Sequence, residues 1–105
     1  MKRALMMNDE DNVATALEQL EGGVPATAIL PSQEVFKQVT PEKTIPSGHK
    51  LAVKEIPKGD HVVKYGLVIG NAIRDISLGD HVHVHNVMSN RMQMPEVWYR
   101  EGVDR

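Results

Sequence analysis

The segment Ile56-Pro-Lys-Gly-Asp-His-Val62 is followed twenty residues later by a second version, Ile76-Ser-Leu-Gly-Asp-His-Val82. A shorter copy of the same pattern stands at Ile45-Pro-Ser-Gly-His49. In each copy the glycine permits a positive φ angle, and its polar neighbour favours a turn. Each turn is followed by a β-branched segment, which is typical of short strands separated by tight turns. The pattern predicts a mostly β fold.

Strands are predicted after these turns, at 50–56, 61–65 and 81–87, and also at 4–7, 33–39 and 72–76. One segment has a different period. Val13, Ala16, Leu17 and Leu20 follow the i, i+3, i+4, i+7 spacing of a helix face. Asparagine and aspartate precede them, and the pair Gly22-Gly23 follows. The spacing predicts one short helix over about 11–20.

Length and composition limit the functions that the chain can have. With 105 residues and 41% hydrophobic content, it is expected to form one small domain. A net charge of −2 gives no reason to expect nucleic-acid binding. The first residues lack the apolar segment of a signal peptide, and no run approaches the roughly 20 apolar residues of a membrane span. We therefore expect a cytoplasmic protein without membrane association.

The run Asp80-His-Val-His-Val-His-Asn86 holds three of the five histidines. In an extended strand, side chains alternate between faces, so His81, His83 and His85 are predicted to share one face. Imidazoles can act as acid/base groups or as ligands of divalent metals. There is no cysteine, so a metal site is limited to histidines and carboxylates. A catalytic or metal site, an interface and a solvated strand face all remain open.

Four segments together resemble the N-terminal SAF domain of the altronate/galactarate dehydratase family. They are Asn12-Val-Ala-Thr-Ala-Leu17, Ile45-Pro-Ser-Gly-His-Lys-Leu-Ala-Val53, Val63-Lys-Tyr-Gly-Leu-Val-Ile-Gly70 and Asp75-Ile-Ser-Leu-Gly-Asp-His-Val-His-Val-His-Asn86. The resemblance implies a SAF, β-clip-like fold, a folded ribbon of short strands with a small helix. We assign residues 1–90 to this domain and 91–105 to a C-terminal tail. The tail contains Trp98 and two methionines, and it is suited either to packing on its own core or to a partner interface.

The resemblance also implies a chemistry. Members of this family are hydro-lyases that dehydrate hexonate or hexarate sugar acids, often with Fe²⁺ or Mn²⁺. The related sulfolactate sulfo-lyase is split into a small SAF-like subunit and a large subunit. The large catalytic portion of the single-chain members is not in this sequence. The expectation is therefore a small subunit that acts with a separate large dehydratase subunit, with a homo-oligomer left open. The alternative is a non-catalytic SAF module that binds carbohydrate or protein.

Dehydration of a sugar acid requires a base, an acid for the leaving hydroxide, and cations for the carboxylate. His83 and His85 lie within the family-like motif, and they are predicted as catalytic residues and metal ligands. His49 is a third catalytic candidate, and the metal is expected to be held mainly by the large subunit. The predicted substrate-binding residues are Lys50, Lys64, Tyr65 and Arg74. By contrast, Asp75 and Asp80 are predicted to cap turns, and His61 is predicted to lie on the surface.

Overall fold

A computed structural model describes residues 1–83 and 85–89 of the chain. This part contains nine strands: β1 Arg3–Leu5, β2 Val13–Ala16, β3 Ala26–Ile29, β4 Val35–Val39, β5 Lys50–Ala52, β6 His61–Lys64, β7 Leu67–Ala72, β8 His81–Val82 and β9 Val87–Ser89. Six strands form one sheet in the order β4-β3-β1-β2-β5-β8, and three form a second sheet in the order β6-β7-β9. The mostly β prediction is confirmed, and the two compact sheets are consistent with a SAF, β-clip-like fold.

The central strands β2 and β5 lie between two small hydrophobic cores. Ala14 of β2 and Leu51 of β5 belong to the first core, whereas Val13 and Ala52 belong to the second. All three residues of β5 are buried, as are three of the four residues of β2. A strand that is buried on both faces shows no alternation of polar and apolar residues. The two cores therefore explain why period-two alternation is weak in this part of the sequence.

The three predicted turns are confirmed. The last amide of each turn donates to the first carbonyl, from His49 to Pro46 (3.1 Å), from Asp60 to Pro57 (3.0 Å) and from Asp80 to Ser77 (2.9 Å). The glycine in the third position has a positive φ in all three turns, 86° at Gly48, 93° at Gly59 and 94° at Gly79. Positive φ at this position defines a type II turn and selects glycine.

Each turn is joined by two backbone hydrogen bonds to a buried alanine of a neighbouring segment. The amide of Gly48 donates to the carbonyl of Ala16, and the amide of Ala16 donates to the carbonyl of His49, both at 2.8 Å. The same pair of hydrogen bonds joins Gly59-Asp60 to Ala72 and Gly79-Asp80 to Ala52. We call each turn with its gripped alanine a turn clamp. The last two clamps are reciprocal, because Ile56 and Ile76 also exchange both backbone hydrogen bonds between them.

The predicted helix over 11–20 is wrong, since Val13–Ala16 is strand β2. The four-residue step from Ala16 to Leu20 recurs as Ala52 to Ile56 and as Ala72 to Ile76. In each case the alanine is gripped by a glycine turn, and the larger residue forms an isolated backbone bridge with a second segment. The helix-like spacing therefore comes from the geometry of the clamp and not from a helical turn.

The polar residues before β2 stabilise a loop and do not cap a helix. The buried carboxylate of Asp11 accepts hydrogen bonds from the amides of Met7 (3.0 Å), Asn8 (3.4 Å) and Gly66 (2.7 Å). The side chain of Asn12 bonds the backbone of β6. Short polar side chains of this kind compete with helix formation by bonding nearby backbone groups. The loop thus ties the first sheet to the turn between β6 and β7.

Several strand boundaries also differ from the prediction. The segment expected as a strand over 50–56 ends at Ala52, and 72–76 is replaced by β7, which covers Leu67–Ala72. The predicted tail lies outside the described residues. In the part of the chain that the structure describes, no helix is long and apolar enough to cross a membrane.

The reciprocal clamps supply a matched pair of substitutions. Gly59 and Gly79 have nearly the same φ, but a Cβ atom at Gly59 meets open space, whereas one at Gly79 would lie 2.6 Å from the carbonyl oxygen of Thr40. We expect Gly59→Ala to lower the free energy of unfolding by about 1–2 kcal/mol through backbone strain alone. Gly79→Ala should cost at least about 1 kcal/mol more, because the backbone of Thr40 must also move. Urea unfolding at pH 7 measures both values. Equal losses for the two variants would show that the contact with Thr40 is unimportant.

Candidate active site

The pairing of β5 with β8 brings together histidines that are distant in sequence. Lys50 lies opposite Val82 and Leu51 lies opposite His81. His49 precedes β5 and His83 follows β8, so both flank the Lys50–Val82 pair. Nδ1 of His49 is 2.9 Å from Nε2 of His81. The ring centres of His49 and His83 are 4.9 Å apart.

Asn86 shapes the loop that follows β8. Its side-chain oxygen accepts a hydrogen bond from the amide of His83 (2.9 Å), and its side-chain nitrogen donates to the carbonyl of His81 (2.8 Å). The amides of Asn86 and Val87 both donate to the carbonyl of His83 at 3.1 Å. Asn86 is buried, with 4% of its surface exposed. These bonds turn the chain after Val82 and fix the backbone of two histidines.

The prediction that His81, His83 and His85 lie along one strand over 81–87 is wrong, because β8 ends at Val82. The rings of His81 and His83 still stack, with their planes 8° apart. His85 lies in an exposed turn, with its ring centre 5.6 Å from that of His81. One ring nitrogen from each of His49, His81 and His83 falls within 4.8 Å of the others. We call these three residues the histidine cluster.

The environment of His81 disfavours a positive charge. Partial burial, together with charge repulsion from the neighbouring His49, His83, His85 and Lys50, lowers the pKa of His81 to about 4. Lys50 is 6% exposed and lies in β5, directly after His49. His81 is therefore a neutral imidazole at pH 7. A neutral imidazole can accept a hydrogen bond or bind a metal through its free nitrogen.

A cleft with a volume of about 420 Å³ begins at His81 and His85. The other lining residues are Glu42, Lys43, Thr44, Arg74, Asp75, Asp80 and Asn86. Asp75 accepts a hydrogen bond from the amide of Lys58 (2.9 Å), and Asp80 accepts one from the amide of Ser77 (2.8 Å). The prediction that these two aspartates cap turns is thus confirmed. Arg74 and Lys43 supply positive charge to the same cleft.

Lys64 and Tyr65 lie elsewhere, at the turn between β6 and β7. Nζ of Lys64 is 4.9 Å from the centre of the Tyr65 ring. Tyr65 has a φ of 56°, and the following amide of Gly66 is held by Asp11. Within residues 1–83 and 85–89, no described contact joins this pair to the histidine cluster. His61 is exposed, as predicted.

The sequence prediction left three residues of this region unassigned. His81 matched His61 in the repeated pattern and was given no role of its own, although only His81 has a histidine from another strand beside it. Asn86 and Lys43 gave no signal, because their roles depend on the loop after β8 and on the cleft. Besides the histidine run, the pair His49-Lys50 was a local signal in the sequence for this region.

The chain belongs to the altronate/galactarate dehydratase SAF domain family, whose model matches residues 2–90. It is 40% identical over 90 residues to an altronate dehydratase of Bacillus subtilis, a match that covers 86% of this chain and 17% of the relative. The altronate dehydratase of Escherichia coli matches with the same identity and coverage. The chain thus spans about a sixth of the length of these enzymes.

A second kind of relative has nearly the same size as this chain. The (2R)-sulfolactate sulfo-lyase subunit alpha of Chromohalobacter salexigens is 34% identical over 88 residues, which cover 82% of this chain and 94% of the relative. The SAF domain therefore occurs both inside longer dehydratases and as a chain of its own that is named as a subunit.

The lowered pKa of His81 predicts a pH dependence of stability. The unfolded chain gains a proton at this residue near pH 6.5, whereas the folded chain gains it only near pH 4. Between these values the unfolded state binds more protons, so stability should fall as the pH is lowered from 6.5 to 4. We expect His81→Gln to remove this contribution. The difference in unfolding free energy between wild type and variant, measured with a chelator present, should change steadily through this pH window.

Carboxylates titrate in part of the same range, but they are common to both proteins and cancel in the difference. His61→Gln serves as the matched control, because His61 is exposed. A pH-independent difference for His81→Gln would contradict the assigned environment of His81.

Proposed function

We propose that this chain is the SAF subunit of a lyase that eliminates water from a sugar acid and that acts with a separate large catalytic subunit. The observation that carries the proposal is the convergence of His49, His81 and His83 beside a cleft that contains Arg74 and Lys43. These residues belong to a domain whose relatives are named as dehydratases and sulfo-lyases. The related proposal, elimination from a sulfonated hydroxy acid, uses the same groups.

The histidine cluster can provide the proton transfers of an elimination. A base must remove the proton α to the carboxylate, and an acid must assist the departing hydroxide. His81 stays neutral at pH 7, so it cannot serve as the acid, but its 2.9 Å contact can orient the ring of His49. In the cluster without a bound ion, we assign proton transfer to His49 and His83, with His85 at the mouth of the cleft as a further candidate.

Arg74 and Lys43 are the candidates to bind an anionic substrate, in a cleft that is also lined by Glu42, Asp75 and Asp80. Arg74 lines the cleft and offers the planar donor pair that binds a carboxylate through two hydrogen bonds. Lys43 lines the same cleft. Lys50 is buried beside His49, where its charge would act on a bound anion at close range. Lys64 and Tyr65 lie at the turn between β6 and β7 and do not line the cleft. We propose that any role they have is in contact with the partner subunit.

Two observations support a separate partner. The relatives that match over most of their length are named as alpha subunits. The three rings of the cluster are only partly buried, so the chain forms one wall of a site. Small-molecule sites usually enclose most of the ligand surface. A large subunit placed against this wall would complete the enclosure and exclude water.

A divalent metal, Fe²⁺ or Mn²⁺, is part of the proposal, and when bound it would polarise the leaving hydroxyl as a Lewis acid. The three imidazole nitrogens within 4.8 Å of one another fit such an ion. With the ion bound, His49, His81 and His83 would be its ligands, and proton transfer would pass to His85 or to the partner subunit. Arg74 and Lys43 of the cleft would orient the substrate.

The proposal is tested by purifying the chain from its native host under mild conditions and assaying the complex. We expect a large lyase chain to copurify, and the complex to convert a hexonate, a hexarate or sulfolactate. In that complex, His83→Ala should lower kcat by about 10²–10⁴-fold, because a positioned proton-transfer group or metal ligand is lost. His61→Ala, which removes an exposed histidine, should retain wild-type turnover.

Arg74 provides a separate test of substrate binding in the same complex. Arg74→Gln should raise KM by about 10–100-fold, as expected for the loss of a charged hydrogen-bonding partner. The matched control is Arg3→Gln, since Arg3 is exposed in β1. An unchanged KM would remove Arg74 from the site. A chain that binds a hexarate without any lyase activity in its complexes would support the non-catalytic binding module instead.

A further inference from the structure

We infer that His49, His81 and His83 bind one divalent transition-metal ion on this chain itself, with a preference for Fe²⁺, Co²⁺ or Zn²⁺ over Mn²⁺. The inference places the metal on the small chain and not mainly in a partner. It also replaces His85 with His81 in the ligand set. The inference rests on the proposed function only where it names the substrate that would bind beside the metal.

The spacing of the three nitrogens suits a common ion. Two imidazole nitrogens that bind one ion at about 2.1 Å are about 3.0 Å apart at a right angle and about 3.4 Å apart in a tetrahedral arrangement. Nδ1 of His49 and Nε2 of His81 are 2.9 Å apart. One ring nitrogen from each of His49, His81 and His83 can be chosen so that all three lie within 4.8 Å of one another. Small rotations of one ring would therefore bring all three donors to a common centre.

The backbone that carries these ligands is fixed at three separate points. The carbonyl of His49 accepts from the amide of Ala16 (2.8 Å), as part of the first turn clamp. His81 lies in β8, where it pairs with Leu51. His83 is fixed through its amide by Asn86, which also holds the carbonyl of His81. A site that is arranged before the metal arrives loses little ordering entropy on binding.

The kind of donor decides which metals are favoured. In the described residues, the ligand group contains three imidazoles and no carboxylate. Imidazole suits zinc, copper, iron and nickel, whereas manganese prefers oxygen donors. Asp80 is the nearest carboxylate in sequence, and it is engaged with the amide of Ser77. The buried charge of Lys50 opposes any dication, so the affinity should be moderate.

Three protein ligands leave coordination positions for solvent or substrate, as in catalytic metal sites. His81 also lines the cleft that contains Arg74. An acid held there by its carboxylate would have its hydroxyl groups on the side of the histidine cluster. The ligand class that follows is a hydroxy acid with an anionic end group, which agrees with the proposed substrate.

The test uses Co²⁺ as a visible probe on the full chain, without a histidine tag and after removal of bound metals. We expect one equivalent of Co²⁺ to bind, with new absorption bands in the visible range. Alanine at His49, His81 or His83 should each weaken binding by at least about 10-fold. The matched controls are His85→Ala and His61→Ala, which should stay within about twofold of wild type. Mn²⁺ should compete at least about 10-fold less well than Zn²⁺.

A second measurement does not depend on the variants folding. Proton NMR of the Co²⁺-loaded wild-type chain should show three strongly shifted, exchangeable imidazole N–H signals, one for each ligand. No saturable binding, fewer than three such signals, or a loss with His85→Ala that equals the loss with His81→Ala would overturn the inference. A complex that is an active lyase while this chain fails to bind Co²⁺ would refute the metal site alone. A Co²⁺-binding chain whose complexes lack lyase activity would refute only the proposed function.

Discussion

The exchange of backbone hydrogen bonds between Ile56 and Ile76 is the constraint on which the rest of this fold depends. After each isoleucine the chain enters a glycine turn, and each turn is hydrogen-bonded to an alanine that lies four residues before the opposite isoleucine. The carboxylates follow the same symmetry. Glu55 accepts from the amide of Leu78, and Asp75 accepts from the amide of Lys58, both at 2.9 Å. Two similar sequence segments thus form one interlocked unit around the second core.

This unit determines where the histidines are placed. Because the turn at Gly79 is clamped on Ala52, the chain leaves it alongside β5, and the register puts His81 opposite Leu51. The clamp of Gly48 on Ala16 fixes the other end, so that His49 enters β5 at the same place. The backbone bonds of the clamps therefore set the separation of His49 and His81. The histidine side chains themselves need supply little of the fold's stability, which leaves them available for chemistry.

The chain combines a scaffold held by backbone hydrogen bonds with a histidine cluster that is only partly buried. Its cluster has neutral and cationic groups close together, His81 with a lowered pKa and Lys50 buried nearby. Such an arrangement disfavours protonation of His81 and favours a bound anion. A SAF domain that occurs both within long dehydratases and as a separate alpha subunit is consistent with a wall that another catalytic unit completes.

The sequence by itself determined the glycine turns, the mostly β character, the family and the importance of the histidine run. These features are local, because a positive φ requires glycine and a short motif keeps its spacing. The helix over 11–20 was mispredicted because the clamp repeats a four-residue step that also fits a helix. Only the tertiary structure decided that His49 meets His81 across 32 residues, that Asn86 ends β8, and that His85 turns outward. Those outcomes depend on strand register and loop hydrogen bonds, which join residues that no local pattern connects.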